Sequence, residues 1–427
     1  MITILLFLIY LILIFCGTHF FKCKFNFLNI FNTIWFLVLM FSTVGLYKFP
    51  VPNFKTITYL LVGILSFNFM AFFSLSIRSD KKKNMNLTKR KTLNSKKMRI
   101  ILLVLFLFML PMTIRCFLLI YSNGFSYVRN LYLSGLLFDK KIQLIWNYII
   151  RPLSVVLLIY NLLEYSKDRK KFLNLILNFL IVAEYVICTA GRGIIFELLV
   201  LTLIINLNEY KKILKILKQN KKIIILFLLV IMILVIITSE RSLNSENGIL
   251  FNVYCYFCGS IHLFDYLILN PDISLLNSKN LLYGLSTFNG PLEIFKILMN
   301  TIFDTNIKSG IEIINEVTQQ YYNISNIVVM NNNVTMFYGF LRDFDFLGII
   351  IGPELLAVLY SIAYKYKKKY SDNDCCQAIY CYLTSLIPYT IFELKLTICS
   401  YFIVLVMLVL LYKILYKPIH KEVGGAL

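Results

Sequence analysis

Apolar residues in this chain fall in long unbroken runs rather than in alternation. Runs of about 20 apolar residues are long enough to cross a bilayer as a helix. Eleven runs approach that length, near 2–17, 28–46, 57–77, 100–121, 142–163, 172–190, 194–208, 223–239, 346–364, 376–392 and 397–412. Short loops, several of them rich in lysine, separate most of the runs. One stretch breaks the rhythm. From Glu240 to Asp345 about a hundred residues form a single insert, and a loop of that length inside a compact unit is usually functional.

Only helices and closed barrels satisfy their own backbone in lipid. Continuous rather than alternating runs select helices. The pattern therefore predicts an all-α polytopic membrane protein, with about 11 transmembrane helices (10–13) and one long outward-facing loop. The chain reads as a single integral membrane domain, 1–427, with 240–345 as an extracytoplasmic loop. Residues 249–269 and 288–303 are rich in aromatic side chains. They read as interfacial or re-entrant helices, or as a pair of extra crossings that preserves the orientation.

Charge sets that orientation. The lysine-rich segments 78–99, 167–171, 211–222 and 365–369 mark cytoplasmic loops by the positive-inside rule. The N-terminus is then outside and the C-terminus, with Lys413, Lys417 and Lys421, is cytoplasmic. The first run has no positive leader and no small-residue cleavage site, which disfavours a cleaved signal peptide. The loops at 47–56, 122–141, 191–193, 240–345 and 393–396 face outward.

Composition supports this picture. The chain is 59% hydrophobic over 427 residues. Its net charge of +21 sits in the inter-span loops. It lacks the basic and aromatic interleaving of a nucleic-acid surface, so no nucleic-acid partner is expected. The ten cysteines are scattered and the histidines number three. Cys255 and Cys258 form a CxxC with no second pair at zinc-ligand spacing. No metal and no cofactor is expected.

A few polar residues stand out against this background. Arg192 lies in Ala-Gly-Arg-Gly between two apolar runs. Its glycines allow a tight turn, and its guanidinium suits a phosphate. The plain alternative is an arginine snorkelling to water. Glu184 and Glu197 flank it as candidate salt-bridge partners. Arg115 and Arg151 lie near the outer ends of spans, where a costly charge faces either a polar cavity or the headgroups. Arg241 and Arg342 bracket the insert. With Arg192 they are candidates for one anion site. His262 and Asp265 share a helix face and are candidate proton acceptors, or else a solvated stripe. Glu293 is a further candidate base. Tyr283 and Asp343 lie in polar stretches within or bordering the insert.

Four stretches taken together look familiar. They are Gly191-Arg192-Gly193, CGSIHLFDYL at 258–267, YGLSTFNGPLEIF at 283–295, and MFYGFLRDFDFLGIIIGPELLAVLY at 336–360. Their order and the long loop between them resemble the bacterial oligosaccharide repeat-unit polymerases, the Wzy-type O-antigen and capsule family. The likeness covers roughly residues 170–365. Family members often carry Gly after the Asp-Phe, where this chain has Asp345.

The resemblance implies a membrane glycosyltransferase at the outer face of the bacterial cytoplasmic membrane. It would join oligosaccharides linked to undecaprenyl pyrophosphate. Arg192, Arg241 and Arg342 would stabilise the departing pyrophosphate, and His262 or Asp265 would take the acceptor proton. Arg115, Arg151, Tyr283, Glu293 and Asp343 would bind substrate. A flippase and a chain-length regulator are candidate partners, with the lipid bilayer as solvent. Two alternatives stay open: a flippase-like transporter of lipid-linked oligosaccharide, and a ligase-like transferase.

Cysteine labelling should find Ser95 and Lys218 cytoplasmic, and Lys279 and Asn332 outside. Lys279 and Asn332 on opposite sides would break the single-outer-loop arrangement.

Overall fold

The computed structural model describes residues 2–77, 91–168, 172–191, 193–210, 249–276, 278–303, 305–325, 328–331 and 333–418. Over these residues the chain is built mainly of helices. They are α1 (Ile2–Phe21), α2 (Phe27–Ser42), α3 (Phe54–Ser76), α4 (Ser95–Leu133) and α5 (Lys140–Lys167). Next come α6 (Phe172–Thr189), α7 (Gly193–Tyr210), α8 (Ile249–Leu269), α9 (Asn289–Ile302) and α10 (Gly310–Thr318). The last are α11 (Met336–Lys369), α12 (Asp374–Leu386) and α13 (Cys399–Leu415). Four short strands are β1 (Lys91–Leu93), β2 (Tyr322–Ser325), β3 (Val328–Met330) and β4 (Tyr416–Pro418). β1 pairs with β4, and β2 with β3, both antiparallel.

Local sequence sets several helix starts. The side chains of Asn26, Asn53 and Asn94 each accept a first-turn N–H of α2, α3 and α4, which satisfies one orphan donor apiece. Ser309 and Glu312 form a reciprocal capping box on α10.

Among the described residues six helices are long and apolar enough to cross a membrane: α1, α3, α4, α5, α6 and α11. α2, α7 and α13 are apolar but shorter. The expected span at 223–239 lies outside the described residues. Two expectations need correction. The loop expected at 122–141 is helical through Leu133, after a break at Gly124 with φ 82°. The span expected at 376–392 is helical only to Leu386 and then tightens to a 3-10 turn, Ile387–Ile391, where Pro388 has no N–H to continue the ladder. The insert holds α8, α9, α10 and the β2–β3 hairpin over its described part.

The chain divides into two compact units. The first comprises residues 1–77, 245–362 and 386–402. Its core is aromatic and centres on α2. Phe31 stacks on Phe67 at 3.9 Å between centroids, and Trp35 meets Phe337 edge-on at 4.9 Å. Asn32 and Asn68 exchange two side-chain hydrogen bonds of 2.8 and 2.7 Å, and both are buried. Such a pair joins helices where no water competes. The Trp35 indole donates to Thr390 Oγ1 at 2.9 Å.

The second unit comprises residues 78–244, 363–385 and 403–427. In it α4 packs along α6, and α5 packs on α6 and α7. From Ser154 to Tyr165 every residue of α5 is buried, as expected of a helix apolar all round. A π-helical turn, Trp146–Ile150, interrupts α5.

α11 is broken inside the first unit at Phe344 (φ −140°, ψ 22°) and Asp345 (φ 51°, ψ −144°). The turn brings Gly348 back onto the preceding segment. A Cβ at Gly348 would lie 1.9 Å from the Phe340 carbonyl oxygen. Backbone cannot yield as a flexible side chain can, and overpacking of this kind costs about 1–3 kcal/mol. Gly348→Ala should therefore lower the thermal midpoint of the purified protein by several degrees. Gly193→Ala, where a Cβ meets nothing within 4 Å, should not. Equal midpoints would show that the break does not need Gly348.

Candidate functional site

The insert's turn at 282–289 is stitched to the break in α11. Asp343 is fully buried. Its carboxylate accepts from the Ser286 N–H at 3.0 Å, the Thr287 N–H at 2.7 Å and the Thr287 hydroxyl at 2.5 Å. The Leu282 N–H donates to the Arg342 carbonyl at 2.8 Å, and the Tyr283 N–H to the Asp343 carbonyl at 3.1 Å. These carbonyls are free to accept because the helix stops there. Tyr338 donates to the Ser274 carbonyl at 2.8 Å, and Arg342 donates to the Leu275 carbonyl. Two glycines let the turn sit close. A Cβ would lie 2.1 Å from the Leu285 carbonyl at Gly310, and 2.7 Å from Ser286 Oγ at Gly339.

Beside this turn lies an open pocket whose enclosed space is about 40 Å³. Its polar wall comes from Ser286, Thr287, Asn315, Thr318, Thr335, Glu393 and Thr397, and its apolar wall includes Ile311, Ile314, Met336, Phe340 and Leu394. Thr335 is buried, and its hydroxyl has no hydrogen-bond partner among the described residues. Glu393 is the one carboxylate in the wall, and it is ion-paired to Lys395. Hydroxyls, one amide and apolar faces suit a neutral ligand rich in hydroxyl groups.

α9 and α10 are tied beneath the pocket. The buried Asn289 amide donates to the Thr397 carbonyl at 2.7 Å and to Glu293 at 3.2 Å, and its oxygen accepts from Ile311 N at 3.2 Å. Lys296 pairs with Glu312. Partial burial alone would raise the Glu312 carboxyl. Lys296 and the Ser309 cap outweigh it and hold it below the ordinary carboxylate range. The tie is thus present at neutral pH and is lost as pH falls through that lowered value.

None of the sequence-predicted residues lines the pocket. Asp343 and Arg342 hold its turn from behind. Arg342 is buried and spent on Leu275. Tyr283 projects into solvent from a left-handed backbone, φ 49°. Asp265 caps α3, accepting from the Asn53 N–H at 2.9 Å and the Thr56 hydroxyl at 2.5 Å. His262 is buried against Phe49, with the Tyr254 hydroxyl 3.4 Å from Nε2. The stripe formed by His262 and Asp265 is therefore buried rather than solvated.

In the second unit Arg151 is buried and pairs with Glu197 at 2.7 Å. Glu197's described partner is thus Arg151 rather than Arg192. Arg129 donates to the Thr189 carbonyl at 3.2 Å, and Tyr132, between these two arginines, donates to Asn147 at 2.7 Å. Glu184 is buried, and neither oxygen has a hydrogen-bond partner among the described residues. Arg115 is exposed on α4. Arg192 and Arg241 lie outside the described residues, so an anion site built on Arg192, Arg241 and Arg342 is not described. No metal-ligating group of three or more His, Cys, Asp or Glu occurs among the described residues.

Thr335, Asn315 and Glu393 escaped the sequence reading because isolated polar residues near spans carry no periodic or spacing signal. No family model matches the chain, and no curated protein or solved structure shows significant similarity to it.

Asp343→Ala should free the Ser286 and Thr287 N–H groups. An unmet buried donor costs about 1–3 kcal/mol. Amide hydrogen exchange at 286 and 287 should accelerate by about tenfold or more. Unchanged exchange in a folded variant would mean that the turn is held by other contacts.

Proposed function

We propose that this chain is a membrane glycosyltransferase that polymerises oligosaccharide units carried on undecaprenyl pyrophosphate, at the outer face of the bacterial cytoplasmic membrane. The fuller topology belongs to the same reading: eleven spans, N-terminus outside, C-terminus inside, insert outward. The observation that carries the reading is the hydroxyl-lined pocket. It is built where two of the family-like stretches, 283–295 and 336–360, are tied together by Asp343. A neutral, hydroxyl-rich wall suits a sugar. The leaving pyrophosphate needs cations, the role for which Arg192 is the candidate.

A second reading, a transporter of lipid-linked oligosaccharide, is favoured by two observations. α11 is discontinuous, and discontinuous helices build the sites of many transporters. Glu184 is a buried carboxyl in an apolar helix, and such residues mark proton and substrate paths.

The experiment is the glycan profile of a deletion strain, read with the sidedness of the lipid-linked intermediate. A polymerase leaves single repeat units in the outer leaflet and no long polymer. A transporter leaves them in the inner leaflet. Arg192→Ala should reproduce the polymerase phenotype at normal protein level, and Arg192→Lys should rescue poorly, since lysine loses the bidentate fork. Removing one such donor typically costs on the order of 100- to 1000-fold in rate. Long chains at normal abundance in the deletion strain would overturn both readings.

A further inference from the structure

α9 begins two residues after the pocket's Thr287. Its sequence is amphipathic in a specific way. Phe288, just before it, and Leu292, Phe295, Met299 and Ile302 recur at helical spacing, and Leu298 widens the same stripe. All six are exposed; Phe295 and Ile302 reach 65% and 67%. The other side of the helix faces the protein. There Asn289 bridges to Thr397 and Ile311, Glu293 accepts from Asn289, and Asn300 accepts from the Thr305 hydroxyl and the Ile307 N–H.

We propose that α9 lies in the plane of the membrane interface, with this stripe in the acyl boundary, and that it sets the adjoining pocket at headgroup depth. Fourteen residues make a helix of about 21 Å, too short to cross a hydrocarbon core of about 30 Å. Lying flat is the arrangement that buries one face and wets the other. The occupant is argued from the same unit. α3 is long and apolar enough to cross a membrane and exposes Leu65, Phe69 and Phe73. The segment leading into α3 exposes Val44 and Val51, and α3 itself begins with the exposed Phe54. The first unit therefore already presents lipid-type surface, and the α9 stripe belongs to the same unit. Lys296, on the flank of the stripe, reaches back to Glu312 rather than interrupting the apolar face.

A pocket at that depth takes the polar portion of an amphipathic molecule more readily than a free solute. The placement of α9 is independent of polymerisation. A failure of either leaves the other standing.

The test is spin-label scanning of the full chain in nanodiscs of phosphatidylcholine and phosphatidylglycerol. A genetically encoded ketone residue carries the nitroxide, so the native cysteines stay. Labels at 292, 295, 299 and 302 should collide with oxygen far more than with a water-soluble nickel chelate. Labels at 296 and 300 should not. The ratio should oscillate with the helical period. Nickel-dominated collisions at every position would overturn the proposal. So would labels at 295 and 302 shielded from both reagents, which would indicate a protein partner or a second copy. Folding is checked independently, because each labelled apolar position is already exposed.

Discussion

Asp343 has no contact with solvent, so the chain must bring donors to its carboxylate or carry the cost of a bare buried charge. The donors it brings are two backbone N–H groups and one hydroxyl of the 286–287 turn. That single requirement fixes much else. It places Ser286 and Thr287 in the pocket wall and sets where α9 begins. The break one residue later turns the Arg342 and Asp343 carbonyls from helix acceptors into acceptors for the loop. Side chain and backbone of one residue thus close the same seam, and Tyr338 and Arg342 extend it to Ser274 and Leu275.

The rest of the polar interior follows the same rule with different partners. Asn32 and Asn68 satisfy each other, Arg151 meets Glu197, and Asp265 meets the first turn of α3. In an apolar helix a polar group left unmet is expensive. Most such residues in this chain are therefore answered locally, and they read as architecture. Glu184 departs from that rule among the described residues. It shares that departure with the Thr335 hydroxyl and the Arg342 Nε.

The apolar helices are legible because their signal is collective. Twenty apolar residues in a row survive any single substitution, and ten of the eleven expected positions carry a helix, the eleventh lying outside the described residues. Their full extents were less legible. α4 runs through a segment of mixed polarity after Gly124, and α12 stops at a proline that the apolar run conceals. The site was legible only as a region. The insert stands out as the place to look, but its sequence does not show that Asp265, Arg342 and Asp343 serve as ties. An arginine or aspartate looks the same in sequence whether it faces a ligand or a carbonyl. The pocket's own wall is made of serine, threonine and asparagine from four separated segments, and no local pattern announces such a convergence.

The seam at Asp343 also bears on the choice between a one-sided enzyme and a carrier. Alternating access needs a site whose walls move between two arrangements, each stable enough to be populated. Here one wall is fastened by three bonds to a buried carboxylate and by two backbone bonds to a broken helix. Moving that wall would strand Asp343 without donors. Another wall, the 393–397 segment, is tied as well, by the Asn289 amide to the Thr397 carbonyl and by the Glu393–Lys395 pair. Two walls held in this way fit a site that keeps one arrangement better than one that alternates between two. Glu184 weighs the other way: it is a buried carboxyl whose oxygens have no hydrogen-bond partner among the described residues, whereas Arg151 and Glu197 in the same unit are paired.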